Sequence, residues 1–449
     1  MNTIQKRDLI LNGNMNKVIL TIAAPIMFNN LIQTVYNLTD TLFVSKIDDI
    51  SVGAMTLVWP IIFFIMSLGL GISVGGSSII SQHVGADDYD SATDIAGQLI
   101  TFSVIFSIIL GCIGYLLAPS IVSILGATGD MYVAASTFLK IILLGMPTMF
   151  LMFAFNSIRQ GFGDTMSPMI IGVLSVIFNI ILDPIFIFVF DMGIAGAAYA
   201  TVLARGVFAI IAIYRLFLPS NEHPIHISHL NLNIKLLKRI LKIGLPSSIG
   251  QSTAALGFSV LNFFILTYGN DTITAFGIGN RVNSLILMPA MGVGNALIPI
   301  IGQNLGANNL ERAKSAVKQS AILSTIFLSF GAVLMFNLSE YIISAFSSQE
   351  NIVKLSVHYL HWISAALPLM GFFQILIGTF QGSGHTISAM FITMGRLWLL
   401  RIPLIVMFKN YSDFGSSGVW YAMVLSNGII CLIGFAIFKT GRWQQKIIK

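Results

Sequence analysis

The stretch AMTLVWPIIFFIMSLGLGISVGGSSII, residues 54–80, decides the fold of this chain. It runs for 27 residues without one Asp, Glu, Lys, Arg or His, and about 20 apolar residues are enough to cross a bilayer as a helix. Strands of a membrane barrel have alternating apolar residues in runs of about ten, which this continuous stretch does not match. The stretch therefore predicts a transmembrane α-helix.

The composition extends this prediction to the whole chain. The 449 residues are 55% hydrophobic and 9% charged, whereas a typical soluble domain is roughly 25% charged. The mean hydropathy is +0.86. A soluble chain of this length needs a far more charged surface, so the composition excludes a soluble enzyme, a nucleic-acid-binding protein and a disordered scaffold.

Eleven further apolar stretches have a similar length, so we predict an all-α integral membrane protein with twelve transmembrane helices. The predicted spans are 20–44, 54–80, 95–118, 133–158, 168–190, 194–217, 244–268, 275–301, 317–338, 355–380, 387–408 and 418–438.

Basic residues predict the orientation. With both termini in the cytoplasm, 16 of the 24 Lys and Arg residues lie on the inner side and 4 on the outer side. Basic loops stay on the cytoplasmic side, so we expect a multi-pass protein of the cytoplasmic (plasma) membrane. The other four lie within spans, where they can pair with backbone carbonyls, bind substrate or reach the interface: Arg205, Arg281, Arg396 and Arg401.

The two halves of the sequence repeat each other at an offset of 221 residues, which becomes 222 late in each half. Matching pairs include Pro25/Pro246, Gln82/Gln303, Gly85/Gly306, Gln160/Gln381, Gly163/Gly384 and Tyr199/Tyr421. We therefore predict an N-lobe over 1–218 (helices 1–6), a cytoplasmic linker over 219–243 and a C-lobe over 244–449 (helices 7–12). Within the linker, residues 232–243 suit an amphipathic helix on the membrane surface.

Six spans per repeat place both halves in the membrane in the same direction, related by a pseudo-twofold axis along the membrane normal. Two parallel six-helix bundles around a central cleft are the layout of an alternating-access transporter. A passive channel or a receptor remains an alternative at this point, and neither would accumulate a solute against its gradient.

Two carboxylates fall within the predicted spans, Asp40 in the first helix and Asp183 in the fifth. At 1.5 Å per residue, both lie roughly 6–10 Å below the outer end of their helix. Thr201 in the sixth helix has a similar depth, and Asn179 shares a helix face with Asp183 because the two are four residues apart. The sequence thus predicts a cluster of oxygen-bearing side chains in the first half.

A carboxylate in hydrocarbon is costly unless it is protonated or paired with a cation. Neighbouring carboxylates can share a proton, and carboxylate, amide and hydroxyl oxygens also suit a hard cation such as Na⁺. The alternative is that each acid pairs with an arginine such as Arg205. The repeat argues against a purely structural role, because Leu261 and Met423 replace Asp40 and Thr201, and Asp183 maps into the apolar run 402–405.

Four other residues in the first half suit a transport cycle. Pro25 and Pro184 remove a backbone hydrogen bond within helices one and five, so they predict either a movable bend or a static kink. Tyr36 and Asn156 are polar residues inside spans, where they either face the cleft or form a core hydrogen bond.

Motifs for other chemistry are missing from the sequence. It has no Walker loop, nucleophile elbow or HExxH segment, and its histidines lack metal-ligand spacing. We therefore expect no enzymatic activity, no cofactor and no metal site beyond a possible Na⁺ at the acidic cluster.

The repeat, Pro25, Asp40, the QGFGD segment over 160–164 and the NIILDP segment over 179–184 together resemble the multidrug and toxic compound extrusion (MATE) transporters. The resemblance covers nearly the whole chain. It implies a V-shaped twelve-helix antiporter, acting as a monomer without nucleic acid, that exports organic and often cationic compounds in exchange for H⁺ or Na⁺.

Within the prokaryotic DinF-like branch, the resemblance implies a cation site formed by Asp40, Asn179, Asp183 and Thr201, and a substrate cavity that includes Tyr36 and Asn156. The NorM-like branch uses acids in helices seven and ten of the second lobe, and this chain has none there. The alternative within the wider superfamily is a flippase for lipid-linked precursors, which would favour a basic cavity for a pyrophosphate head group.

Overall fold

The computed structural model describes residues 3–219 and 222–448, in which every regular element is a helix. Eleven helices or helix pairs are long and apolar enough to cross a membrane, and a twelfth span consists of two helices that meet at 47°. The predicted all-α fold with twelve spans is confirmed. Residues 1–2, 220–221 and 449, which the predicted lobes and linker include, lie outside the described residues.

The N-terminal half contains eight helices. They are α1 (Thr3–Asn12), α2 (Met15–Ser45), α3 (Asp49–Gly85), α4 (Tyr89–Ile124), α5 (Gly129–Leu144), α6 (Met146–Gly161), α7 (Met166–Pro184) and α8 (Gly193–Phe217). The short α1 precedes the first span, α5 and α6 form the bent fourth span, and a π-helical turn over Ile185–Val189 completes the fifth.

The C-terminal half repeats this arrangement. Its helices are α9 (Ile234–Leu266), α10 (Asn270–Gly306), α11 (Leu310–Ser344), α12 (Glu350–Gly382), α13 (Thr386–Met394), α14 (Ile402–Tyr411) and α15 (Ser417–Lys439). A π-helical turn over Gly395–Arg401 joins α13 and α14 into the eleventh span. The fifth span of each half therefore includes a π-helical turn, which lies at the end of the span in the first half and in its middle in the second.

The seventh span differs from its prediction. We expected a surface helix over 232–243 that is separate from a span starting at 244, but α9 runs without a break from Ile234 to Leu266. Hydropathy falls where this helix leaves the hydrocarbon, and its backbone hydrogen bonds continue regardless. Several other spans also extend five or more residues beyond their predicted limits for the same reason.

The two halves pack together at the end of the bundle that carries both chain termini, called here the terminal face. The beginning of α2 shares an apolar core with the end of α10 and with α12, and α3 packs along α9. Hydrogen bonds between the halves begin at Ser67 and Ser252 and continue toward the terminal face. This gives the V-shaped arrangement of two bundles.

A pair of repeat-related glutamines closes the terminal face. Gln82 on α3 donates from Nε2 to the carbonyl of Ser383 at 3.2 Å. Its partner in the repeat, Gln303 on α10, donates from Nε2 to the carbonyl of Gly161 at 3.1 Å. A glutamine side chain from each half therefore donates a hydrogen bond to a backbone carbonyl at the matching place in the other half.

Two glycines allow this close approach. A Cβ atom on Gly85 would collide with the backbone of Gln303, and one on Gly306 would collide with the backbone of Gln82. The α3 and α10 backbones therefore touch through repeat-related positions, one helix turn beyond each glutamine.

The N-terminal and C-terminal segments of the chain also bind at the terminal face, where the two halves meet. Arg7 of α1 donates to the carbonyls of Val84 and Gly85 at 2.9 and 3.0 Å. The backbone N–H of Ile447 donates to Oε1 of Gln82 at 2.9 Å. Segments from both ends of the chain therefore bind the end of α3.

Asp164 of the QGFGD segment also holds the N-terminal helix α1 at the terminal face. Its buried carboxylate forms salt bridges with Lys6 of α1 at 3.1 Å and with Arg159 at 2.8 Å, and it accepts a hydrogen bond from Ser167. Burial alone would raise the pKa of Asp164, but Arg159, Lys6 and Ser167 outweigh it and hold the pKa below its usual range. This acid is therefore a charged anchor for α1.

Gly306→Ala should lower the apparent midpoint of thermal unfolding in detergent, because the added methyl group separates two backbones that are in contact. Gly277→Ala is the matched control, since it lies on the same helix and its Cβ would meet no atom within 4 Å. We expect the control to match the wild type or exceed it slightly, as alanine favours helix. Equal midpoints for the two variants would contradict this account of the closure.

Candidate functional site

Asp40 and Asp183 are both buried, with 9% and 0% of their surface exposed. Asp40 lies five residues before the end of α2, and Asp183 lies six residues before the end of its span at Val189. The structure places them on neighbouring helices, because α2, which carries Asp40, packs against α7, which carries Asp183. Both sit at the end of their spans that is remote from the terminal face.

Three further predicted residues surround the acids. Asn179, one turn before Asp183 on α7, donates from Nδ2 to its Oδ1 at 3.1 Å. Tyr36, one turn before Asp40 on α2, shares a hydrogen bond with the Thr201 hydroxyl of α8 at 3.0 Å. The cluster is therefore formed where α2, α7 and α8 meet, as the sequence predicts.

The cluster contains more acceptors than donors. Among the described residues, Asp40 Oδ1, Asn179 Oδ1 and Asp183 Oδ2 are buried without a hydrogen-bond partner. Leaving one buried polar atom unsatisfied costs about 1–3 kcal/mol, and more if it is charged. Because all three are oxygen acceptors, a proton or a hard cation is the kind of ligand that would satisfy them.

The donor set suits a monovalent cation better than a transition metal. The described residues contain no group of three or more His, Cys, Asp or Glu that could hold a metal ion. Two carboxylates, an amide oxygen and a hydroxyl fit a weakly held hard cation or an exchangeable proton.

Arg205 does not neutralise the acids directly. No salt bridge within 4.0 Å joins it to Asp40 or Asp183 in the described part of the chain. Its guanidinium instead lies over the ring of Tyr36, 5.7 Å from the centroid. The geometry therefore does not support the alternative of two acids paired with a membrane arginine.

A cavity of about 750 Å³, open to the surroundings, adjoins the cluster, and all its lining residues belong to the N-terminal half. Tyr36 and Asn156 line it as predicted, and the Asn156 Oδ1 atom is buried without a partner. Asn179 and Thr201 also line it, whereas Asp40 and Asp183 do not. Asn179 therefore contacts both the cavity and Asp183, while Thr201 lines the cavity and bonds to Tyr36, one turn from Asp40.

Sequence reasoning missed most of the cavity wall. Its apolar side is formed largely by Met66, Met149, Met152 and Phe153, and unbranched methionine side chains adapt to ligands of different shape. Any one of these residues looks the same in sequence as a lipid-facing or packing residue. The bend between α5 and α6 beside Met149 is the structural feature that directs this stretch to the cavity.

The matching place in the C-terminal half has the opposite chemistry. Leu261 and Met423 replace Asp40 and Thr201 at the repeat offsets, and Asp183 maps into the apolar run 402–405. Leu261, Met423 and Ile405 of that run belong to one buried apolar cluster. Arg401, directly before the run, donates to Asn427 and Ser426 at 2.8 and 3.1 Å. The repeat therefore keeps the fold but confines the acidic cluster to one half.

The remaining intramembrane arginines lie away from the acidic cluster. Arg396 stacks on Phe373, with its guanidinium 4.3 Å from the ring centroid, and donates to the sulfur of Met370 at 3.1 Å. Arg281 on α10 is exposed. The structure thus gives Arg396 and Arg401 protein partners within the C-terminal half.

The two prolines occupy different kinds of position. Pro25 is buried within the continuous α2, which also carries Tyr36 and Asp40. Pro184 ends α7 directly after Asp183, and the π-helical turn over Ile185–Val189 follows it. π-helical turns within α-helices are frequent at functional sites.

Comparisons with known proteins agree with this geometry. A family model described as MatE matches residues 25–185 and 246–407, one match in each half. The multidrug export protein MepA of Staphylococcus aureus is 30% identical over 434 residues, covering 94% of this chain and 93% of that protein. The probable multidrug resistance protein YoeA of Bacillus subtilis is 26% identical over 438 residues, with 94% and 93% coverage.

Solved structures show the same fold. A structure described as MATE in the bent conformation matches with a TM-score of 0.92 at 26% identity, covering 98% of this chain and 97% of that one. A transporter of the MOP superfamily from Pyrococcus furiosus matches with a TM-score of 0.90 at 27% identity, covering 96% and 97%. The family model matches most of the chain, the resemblance seen in the sequence is confirmed, and this multi-pass membrane protein belongs to the MatE family of transporters.

Proposed function

We propose that this protein is a cation-coupled antiporter that exports organic, often cationic, compounds across the cytoplasmic membrane in exchange for H⁺ or Na⁺. The observation that carries the proposal is the shared wall between cavity and acids. Asn179 and Thr201 line the cavity while Asn179 binds Asp183 and Thr201 binds Tyr36. A substrate in the cavity and a cation at Asp183 would therefore compete through Asn179, and Thr201 links the cavity to Tyr36, one turn from Asp40.

The distribution of basic side chains determines the orientation in the membrane that we propose. Basic side chains concentrate at the terminal face, which we therefore place in the cytoplasm together with both termini. In that orientation the closed face of the V is cytoplasmic and the acids lie near the outer surface. The conformation is then the one that releases substrate outward and takes up the coupling ion.

We assign the cation or proton to Asp40, Asn179, Asp183 and Thr201, and the substrate to the cavity with Tyr36 and Asn156. A bound cation neutralises acceptors that otherwise have no donor, so it stabilises close packing of α2 against α7 and α8. That packing would reshape the cavity wall and expel substrate. Pro25 and Pro184 lie on the two helices that carry the acids, where a missing backbone hydrogen bond permits bending.

The driving force is adequate for this exchange. One monovalent cation that enters down about 100 mV releases about 2.3 kcal/mol. One unit of pH gradient adds about 1.4 kcal/mol when the ion is a proton. Together these two contributions sustain a substrate gradient of a few hundredfold if the substrate is neutral. If the substrate is a cation, its exit moves charge against the membrane potential and offsets the electrical contribution.

The lipid-linked precursor flippase fits the cavity less well. A pyrophosphate head group needs several cations, and Arg205 is the one Lys or Arg among the described residues that line the cavity. Two carboxylates adjoin the same cavity and would repel an anionic head group.

Asp183→Asn and Asp40→Asn should each abolish export of tetraphenylphosphonium from proteoliposomes driven by a pH or Na⁺ gradient. Gradients are imposed one at a time, so that the wild type identifies the coupling ion. Gradient-free exchange of the same probe should persist, because the variants keep the side-chain shape and the cavity. Asp191→Asn is the matched control, as Asp191 is exposed eight residues later and asparagine tolerates its positive φ of 53°. Full coupled export by both acid variants would refute the site assignment.

Tyr36→Phe should raise the ion concentration needed for half-maximal export by about 2- to 10-fold, since it removes one hydrogen bond from Thr201. The maximal rate should change less, because the acids remain. Tyr199→Phe on α8 is the control, since Tyr199 is 43% exposed and does not line the cavity. An unchanged ion dependence in Tyr36→Phe would show that this bond plays no part in coupling.

A further inference from the structure

The segment between the two halves presents an unusual surface at the terminal face. Ile227, Leu232 and Ile234 are 80%, 52% and 61% exposed, although they lie outside the apolar spans. Other apolar residues of the same segment, Ile225 and Ile240, are buried against the N-terminal half. The segment therefore has two apolar faces, and the protein covers one of them.

Basic residues adjoin the uncovered face. Lys235, Lys238 and Lys242 are exposed on the first turns of α9, and Arg239 lies beside them. None of these four forms a salt bridge within the described residues, and no Asp or Glu occurs anywhere in the sequence from 223 to 270.

The same helix face continues into the bilayer. Lys235, Lys238 and Lys242 are followed at helical spacing by Leu245 and Ile249, which are 45% and 48% exposed. Leu245 is three residues from Lys242, about 4.5 Å along the axis. Exposed lysines give way to exposed leucine and isoleucine on one stripe, so this stripe crosses from the head-group level into the hydrocarbon within one turn.

The surface is also held rigidly. Gln98 of α4 donates from Nε2 to the carbonyls of His229 and Asn231 at 3.1 and 2.7 Å, and its Oε1 accepts from the N–H of Asn233 at 2.7 Å. Thr101 adds a hydrogen bond to the carbonyl of Leu230 at 2.8 Å. The segment before α9 is thus fixed to α4, and its apolar residues stay uncovered at a defined place.

We propose that this surface, formed by residues 235–249, is a binding site for anionic phospholipid, in which Lys235, Lys238 and Lys242 hold the head group and the exposed Leu245 and Ile249 contact the acyl chains. Cations beside exposed apolar side chains match an anionic lipid in both parts of its structure. A zwitterionic lipid offers the apolar part without net charge, and a soluble phosphate offers charge without the apolar part. The site begins directly after the loop that joins the halves, so a bound lipid would brace the start of α9 against α4.

The test is a titration of the detergent-solubilised full chain with dioleoylphosphatidylglycerol, dioleoylphosphatidylcholine or glycerol 3-phosphate, followed by the midpoint of thermal unfolding. We expect phosphatidylglycerol to raise the midpoint most, glycerol 3-phosphate to have no effect, and 0.5 M salt to reduce the gain. This readout does not depend on transport, so it stands apart from the proposed function.

Three variants locate the site. The triple variant Lys235→Gln, Lys238→Gln, Lys242→Gln should need roughly tenfold or more phosphatidylglycerol for half of the gain. The double variant Leu245→Ala, Ile249→Ala should reduce the gain from both lipids, because it removes apolar contact area next to Lys242. The control Lys17→Gln, Lys318→Gln, Lys439→Gln removes three exposed lysines elsewhere on the terminal face and should behave like the wild type. The proposal would be overturned if phosphatidylglycerol raised the unfolding midpoint of the triple lysine variant as much as that of the wild type. It would also be overturned if the control variant lost as much of this rise as the triple lysine variant does.

Discussion

A carboxylate inside a membrane protein must be neutralised, and this constraint shapes the whole first half of the transporter. Asp183 is completely buried and Asp40 nearly so, yet neither has a salt bridge to a basic side chain among the described residues. The cost of such groups is several kcal/mol unless a proton or cation binds them. Their position where α2, α7 and α8 meet is the reason for our proposal that the packing of these helices depends on an ion from outside the protein.

The second half shows what the same fold looks like without this constraint. Leu261 and Met423 fill the positions that match Asp40 and Thr201 and share one apolar core with Ile405 of the run that matches Asp183, and Arg401 has amide and hydroxyl partners of its own. In the proposed mechanism the ion-dependent change is therefore confined to the N-terminal half. The glutamine pair Gln82 and Gln303 joins the halves symmetrically at the terminal face.

The fold and the acidic cluster could be predicted from sequence for a physical reason. Apolar length determines a span, and acids within a span are so costly that few residues remain as candidates, so Asp40, Asn179, Asp183 and Thr201 could be grouped from helix spacing and depth alone. The ends of the helices could not be predicted this way. Residues 234–243 are too basic for hydrocarbon, and their polarity hid the fact that α9 continues through them.

The cavity wall could not be predicted from the sequence either. Its methionines and Phe153 line the cavity because their side chains point toward it, and residue type alone does not reveal this. Met149 faces the cavity because the fourth span bends by 47° between α5 and α6. Gly145 and Pro147 mark the place of this break in the sequence, but they do not specify its angle. The position of Asn179 between the cavity and Asp183, and the bond from Thr201 to Tyr36, likewise depend on how three helices cross.

The most direct test of the central claim is the affinity of the purified protein for tetraphenylphosphonium, measured by calorimetry while pH and Na⁺ are varied separately. The account predicts that the coupling ion weakens substrate binding to the wild type about tenfold or more. It predicts no such dependence in the double variant Asp40→Asn, Asp183→Asn, whose acids can no longer take up the ion. The same ion dependence in the double variant would contradict the claim that an ion bound at these two carboxylates weakens substrate binding in the cavity.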